Sequence, residues 1–150
     1  MYTHKHTVHI SKTIEAPLRY VYDWCTDYRE SDPKIIGSKR KRRILFRAKN
    51  RVIYVSEYMR NGQPHNAVNV VTLYPNKGWH LDYVGDEDDE VGEYRLVTLS
   101  PKQTRLDMTF RESYKVRDVP SKKADTKLTN EIWNKYVTTL EKDYAKSRRV

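Results

Sequence analysis

Between Ser38 and Val116 the sequence alternates apolar and polar residues in short runs broken at intervals by turn signals, and after Pro120 that period of two gives way to a helical one. "NGQP" at 61–64, "PNKG" at 75–78, the acidic run at 85–90 and "SPKQ" at 100–103 separate segments rich in Val, Tyr, Thr and Leu. Such spacing predicts an antiparallel meander. The clearest segment is "TRLDMTFRESYKV", where Leu106, Met108, Phe110, Tyr114 and Val116 share one face and Arg105, Asp107, Thr109, Arg111, Ser113 and Lys115 the other. Only Glu112 interrupts the apolar side.

Beyond Pro120, with Ser121 as the expected N-cap, Ile132, Trp133, Tyr136, Val137, Leu140 and Tyr144 fall within one arc of a long helix. Lys135, Lys142, Lys146 and Arg149 form a narrow stripe nearly opposite. At the other end, Val8, Ile10 and Ile14 alternate as in a half-buried strand, which passes at Ala16-Pro17 directly into a segment where Leu18, Val21, Tyr22 and Cys25 recur at helical spacing. Asp27 and Glu30 have the spacing of an N-cap and third helical residue, so a second short helix is expected to start there and stop before Pro33. The resulting order is one strand, two short helices, six strands and a long C-terminal helix. A seven-stranded antiparallel sheet of that kind coils, and the amphipathic helix can bury its arc only on the concave face. The expected class is therefore α+β, with residues 1–150 as a single domain.

That order, together with "IEAPLRYVYDWCTDY", resembles the helix-grip fold of the START and polyketide-cyclase superfamily (SRPBCC, Bet v 1-like), in which a strand ends in an Ala-Pro step, a helix carries a Val and an aromatic residue, and an Asp follows. Here those positions are Ala16, Pro17, Val21, Trp24 and Asp27. The resemblance implies a cavity between the coiled sheet and the last helix, holding a hydrophobic ligand such as a lipid, sterol, quinone or polyketide. Relatives in that superfamily include cyclases, carriers and proteins that dock on partners.

Strand parity and helix phase turn Tyr54, Tyr58, Trp79, Tyr83, Tyr94 and Tyr114, with Trp133 and Tyr136 of the last helix, towards the interior. Such residues can fill a core or line a pocket. Twelve Tyr against two Phe favour the pocket, because each buried phenol needs a hydrogen-bond partner. Glu112 is an acid on an apolar face, where burial would raise its pKa. Lys12, on the inner face of the first strand, is a candidate partner. His4, His6 and His9 cannot converge on a metal, since His9 points away from the other two on a strand. A frayed terminus is expected there, and no metal site. The acidic run lacks the spaced ligands of a calcium loop and reads as a solvated turn. No phosphate loop, nucleophile elbow or cofactor motif occurs, so no cofactor is expected.

Lys and Arg outnumber Asp and Glu by 29 to 20, and the segment "SKRKRRILFRAKNR" at 38–51 contains no acid. Lys39, Arg40, Lys41, Arg42 and Arg43 could contact an anionic surface, whether RNA, phospholipid headgroups or an acidic protein, or could guard a sheet edge. The sequence lacks a run of about 18 apolar residues or a signal-like N-terminus, and with Cys25 its one cysteine it reads as cytoplasmic. Three functions are compatible with these features. They are binding or transport of a small hydrophobic or amphipathic ligand, a cyclase or dehydrase using cavity Glu and Tyr groups, and a basic module that docks on RNA, ribosome or protein.

Overall fold

The computed structural model describes residues 1–148. Strands β1 (His4–Ile14), β2 (Lys41–Ala48), β3 (Arg51–Arg60), β4 (Gln63–Tyr74), β5 (Gly78–Gly85), β6 (Asp88–Ser100) and β7 (Gln103–Tyr114) form one antiparallel sheet in the order β1-β7-β6-β5-β4-β3-β2. Helix α1 (Leu18–Thr26) and a 3-10 turn (Asp32–Ile36) follow β1, and α2 (Lys122–Ser147) closes the chain. The meander accounts for six neighbouring strands, and β1 adds antiparallel beside β7 with His4 opposite Tyr114 and Ile14 opposite Thr104. This is the expected α+β helix-grip arrangement, with the sheet left open between its edges β1 and β2. No helix among the described residues is long and apolar enough to cross a membrane.

The Ala16-Pro17 step explains how strand becomes helix. Ala16 is wholly buried, its carbonyl accepts a 2.8 Å hydrogen bond from the equally buried Thr104 hydroxyl, and Pro17 is the N-cap whose carbonyl receives the first helical N–H from Val21. Replacing Thr104 with Val keeps the volume but strands that carbonyl in the core. Urea denaturation should register a loss of about 1–2 kcal/mol.

The second helix differs from expectation. Asp27 caps the end of α1, Tyr28 takes a positive φ of 45°, and the next helical residues begin at Asp32 with Pro33 inside the first turn. A first-turn proline forfeits no hydrogen bond, so Pro33 starts the 3-10 turn instead of stopping a helix. Gly37, left-handed at φ 69°, ends it.

One face of the strands inside the edge strand β2 makes the interior: Val52, Tyr54 and Ser56 on β3, Ala67, Asn69 and Val71 on β4, Trp79, Leu81 and Tyr83 on β5, and Leu106, Met108 and Phe110 on β7 are all buried. Helix α2 starts at its Ser121 cap, whose side chain accepts the Ala124 N–H at 3.1 Å. Its C-terminal half packs tightly, with Leu140 buried and Tyr144 against Tyr20 of α1 at 4.9 Å between ring centroids. Lys135, Lys142 and Lys146 are exposed as the stripe predicts, while Arg149 lies outside the described residues.

Candidate functional site

Under the N-terminal half of α2 the helix and the sheet enclose a cavity of about 680 Å³. Tyr54 and Tyr58 of β3, Trp79 and Tyr83 of β5, Tyr94 of β6, Glu112 and Tyr114 of β7, and Trp133 and Tyr136 of α2 all border it. The rings form a connected wall. Trp79 stacks on Tyr94 at 4.6 Å, Tyr94 meets Phe110 edge-on at 5.5 Å and Trp133 at 5.9 Å, and Trp133 reaches Tyr136 at 5.2 Å. At one end Met59 and Leu128, 65% and 55% exposed, stand beside Asp118 and Pro120 and mark the mouth.

The basic segment does not form one outward strip. Period-two alternation turns Arg40 and Arg42 to the cavity, Arg40 at its exposed rim and Arg42 partly buried, and leaves Lys39, Lys41 and Arg43 on the outside. The Arg40 guanidinium lies 4.0 Å over the Tyr58 ring and donates to the Tyr83 hydroxyl at 3.2 Å. Arg42 donates to Asp32 at 2.8 Å and covers Tyr54 at 4.5 Å. Lys41 and Arg43, with Arg47, sit on the edge strand β2, where cations discourage pairing with a second sheet, and Lys39 just precedes it.

The acidic run is likewise only partly a turn. Asp86 and Glu87 make the bend, and Asp88 already belongs to β6, so Asp88 and Glu90 face the cavity. Even Glu87 is buried, accepting from Tyr58 at 2.7 Å and from Arg60 at 2.8 Å. Glu90 stands directly across from Glu112 in the β6–β7 register. Burial, then the Glu112 charge, pushes the Glu90 carboxyl up to about 8. Glu112 itself rises to about 7, again through burial first, with the Tyr114 hydroxyl that donates to it pulling the other way and Asp125 adding to the rise.

Lys12 is not the partner of Glu112. It lies opposite Leu106, six residues along, and its ammonium reaches Asn130 and Asn134 of α2. The residue opposite Glu112 is His6, held in a regular strand and not in a frayed end. Its side chain is only 5% exposed, 2.6 Å from Asp125 and 3.8 Å from Glu112, with His4 behind it at 3.2 Å. His9 points outwards to Thr109, as strand parity requires. The donor atoms of His6, Glu112 and Asp125 lie within 4.8 Å of one another, a spacing that can hold a metal ion. Two of the three, His6 and Asp125, are in direct hydrogen-bond contact at 2.6 Å. His65, Asp86 and Glu87 make a second such group near the mouth, where Glu87 is already satisfied by Tyr58 and Arg60.

Sequence reasoning thus missed Tyr28, Asp32, Asp88, Glu90 and Asp125 as cavity residues. Parity counted back from Tyr94 would have found Glu90. Tyr28 owes its buried position to a left-handed backbone that sequence spacing does not display.

No protein-family model matches the chain, and no curated protein matches it by sequence. Solved structures do. The Zhui aromatase/cyclase from Streptomyces sp. R1128 superposes with a TM-score of 0.69 at 17% identity, covering 97% of this chain and 95% of its own. A START superfamily protein from Mycobacterium smegmatis gives 0.69 at 20% identity, covering 94% and 98%. Ara h 8.0201 gives 0.70 at 10% identity, covering 95% and 99%. At such identities the likeness is one of fold, and the fold is the helix-grip of the START, aromatase/cyclase and Bet v 1-like proteins.

Proposed function

We propose that the chain binds a small hydrophobic or amphipathic molecule, of a lipid-, quinone- or polyketide-like kind, inside the cavity under α2. The observation that carries this reading is the cavity itself: about 680 Å³ with aromatic walls and an opening beside Met59 and Leu128. Ligand pockets commonly measure roughly 300–1,000 Å³ and combine apolar walls with a few placed polar groups. Tyr58, Tyr83 and Tyr114 supply such groups, with Arg40 beside the first two and Arg42 over Tyr54. Native mass spectrometry of freshly purified protein should show a stoichiometric small-molecule adduct that disappears after organic extraction and returns when the extract is added back. A chain that stays at its bare mass when offered lipid and aromatic extracts would contradict the reading.

A second reading, turnover of a cyclase or dehydrase kind, is favoured by one feature. Glu90 and Glu112 face each other with carboxyls raised into the neutral range, where one can give a proton while the other takes one. It predicts that a captured ligand is converted by the natural chain and accumulates unchanged on Glu112→Gln. Recovery of an identical molecule from both would dismiss it.

A further inference from the structure

The charges bordering the cavity do not balance. Asp32 is paired with Arg42 at 2.8 Å, Glu87 with Arg60 at 2.8 Å, and the exposed Asp118 with the same Arg60 at 4.0 Å, while Asp125 is hydrogen-bonded to His6 at 2.6 Å. What remains is Asp88, Glu90 and Glu112 against Arg40, whose hydrogen bond goes to the Tyr83 hydroxyl. Among the described residues no Lys or Arg hydrogen-bonds to Glu90 or Glu112. Glu112 takes the Tyr114 hydroxyl, and Glu90 has no side-chain partner among those residues, although protein encloses it on nearly every side except towards the cavity. Two opposed acids in one enclosed space are costly to ionise together unless a cation joins them.

The surroundings suit an organic cation. Gly92 separates Glu90 from Tyr94 along β6, and a Cβ built at Gly92 would stand 3.0 Å from the Tyr94 ring and 3.5 Å from that of Phe110. The acid pair is therefore next to the wall formed by Tyr94, Phe110 and Trp133. Ring faces attract an ammonium group, more strongly when it is removed from water.

We propose that the cavity selects a cationic amphipathic ligand, a protonated or quaternary amine seated beside Glu90 and Glu112 and carried on a flat apolar body that lies against Tyr94, Phe110 and Trp133. This rests on the ligand-binding reading above and names the class of ligand. An anionic ligand would meet excess negative charge, and a neutral one would offer the acid pair no charge to offset it. A metal ion on His6, Glu112 and Asp125 is the competing cation, and the test below separates the two.

Three probes that share one ring test the charge: 2-(1-naphthyl)ethylammonium, 2-(1-naphthyl)ethanol and 1-naphthaleneacetate, titrated calorimetrically at pH 7.5. The ammonium probe should bind about tenfold or more tightly than the alcohol, and the carboxylate least. In Glu90→Gln and Glu112→Gln the ratio of ammonium to alcohol affinity should fall towards one. In the natural chain, ammonium binding should also expel protons, seen as heats that vary with the ionisation enthalpy of the buffer. That readout needs no variant to fold. The titratable and charged groups around the pair are Asp88 on the sheet, Arg40 just before β2, Tyr114 beside Glu112, His6 across from it and Asp125 on α2. Equal affinities, or preference for the carboxylate, would overturn the charge selection and leave the ligand reading standing. Binding of none of the three would overturn both. Tight Mn²⁺ binding that is lost in His6→Ala and that excludes the ammonium probe would overturn the proposal in favour of a metal.

Discussion

Thermal stability should fall as pH rises from 5 to 9, by about 10 °C in Tm. Glu90 and Glu112 both have carboxyls raised above the usual range, to about 8 and about 7. The folded chain therefore keeps protons that the unfolded chain releases near pH 4.5, and stability declines with pH wherever the folded state binds more protons. The contribution is fully present below about pH 4.5 and is lost as pH passes through 7 to 8. Each tenfold gain in proton affinity on folding corresponds to about 1.4 kcal/mol. Because the two acids titrate against each other, a total of about 3 kcal/mol is the reasonable scale. For a chain of this length about 1 kcal/mol moves Tm by roughly 2–4 °C. His80, raised by its hydrogen bonds to Asp82 and Glu93 against the opposing effect of burial, acts in the same direction. Glu90→Gln should flatten the profile and be more stable than the natural chain at pH 9, with near parity at pH 5. A natural profile that is level over this range would mean that the two acids are solvated or neutralised, and would remove the basis for placing a cation between them.

The second large effect separates two tryptophans on the same cavity. Trp79 is 2% exposed and stacked on Tyr94, so Trp79→Ala opens a hole in close-packed structure and should cost about 3–5 kcal/mol in urea denaturation. Trp133 projects from α2 with one side on the cavity and is only half-buried. Truncating it should cost about 1–2 kcal/mol, because less packed surface is lost. Ligand affinity should nevertheless fall by tenfold or more, roughly 1.4 kcal/mol, because a ligand would cover that exposed face. Equal stability losses in the two variants would indicate that the space under α2 is filled core and that no cavity persists in solution.

Much of this was legible in the sequence because strand parity is strict. The alternation in β7 places Leu106, Met108 and Phe110 inside together with Glu112, and the same counting turns Tyr54, Trp79 and Tyr94 inwards. Misreadings arose where parity could not be anchored. A run such as "GDEDDE" looks uniformly solvated, yet the hairpin consumes only Asp86 and Glu87, and the strand resumes early enough to carry Asp88 and Glu90 inside. The five cations from Lys39 to Arg43 look like one surface, but two of them alternate inwards and rest on tyrosine rings. Asp125 is a polar residue in the first turn of a surface helix, and only the crossing of α2 over β1 brings it to His6. These are consequences of tertiary placement, to which local composition is blind.

Side-chain NMR of the indole N–H groups addresses the central claim most directly, because the chain has three tryptophans and all three lie along the cavity. Trp24 holds Asp143 through its indole nitrogen at 2.9 Å and anchors α1 to α2, whereas Trp79 and Trp133 belong to the ring wall itself. During titration with the neutral 2-(1-naphthyl)ethanol, the Trp133 signal should shift saturably and show nuclear Overhauser contacts to the naphthalene protons, and the signal of the almost wholly buried Trp79 should follow with the same dissociation constant. Indole signals that stay in place, or drift without saturation and without contacts to Trp133, would contradict the account, since a ligand under α2 cannot avoid the Trp133 ring.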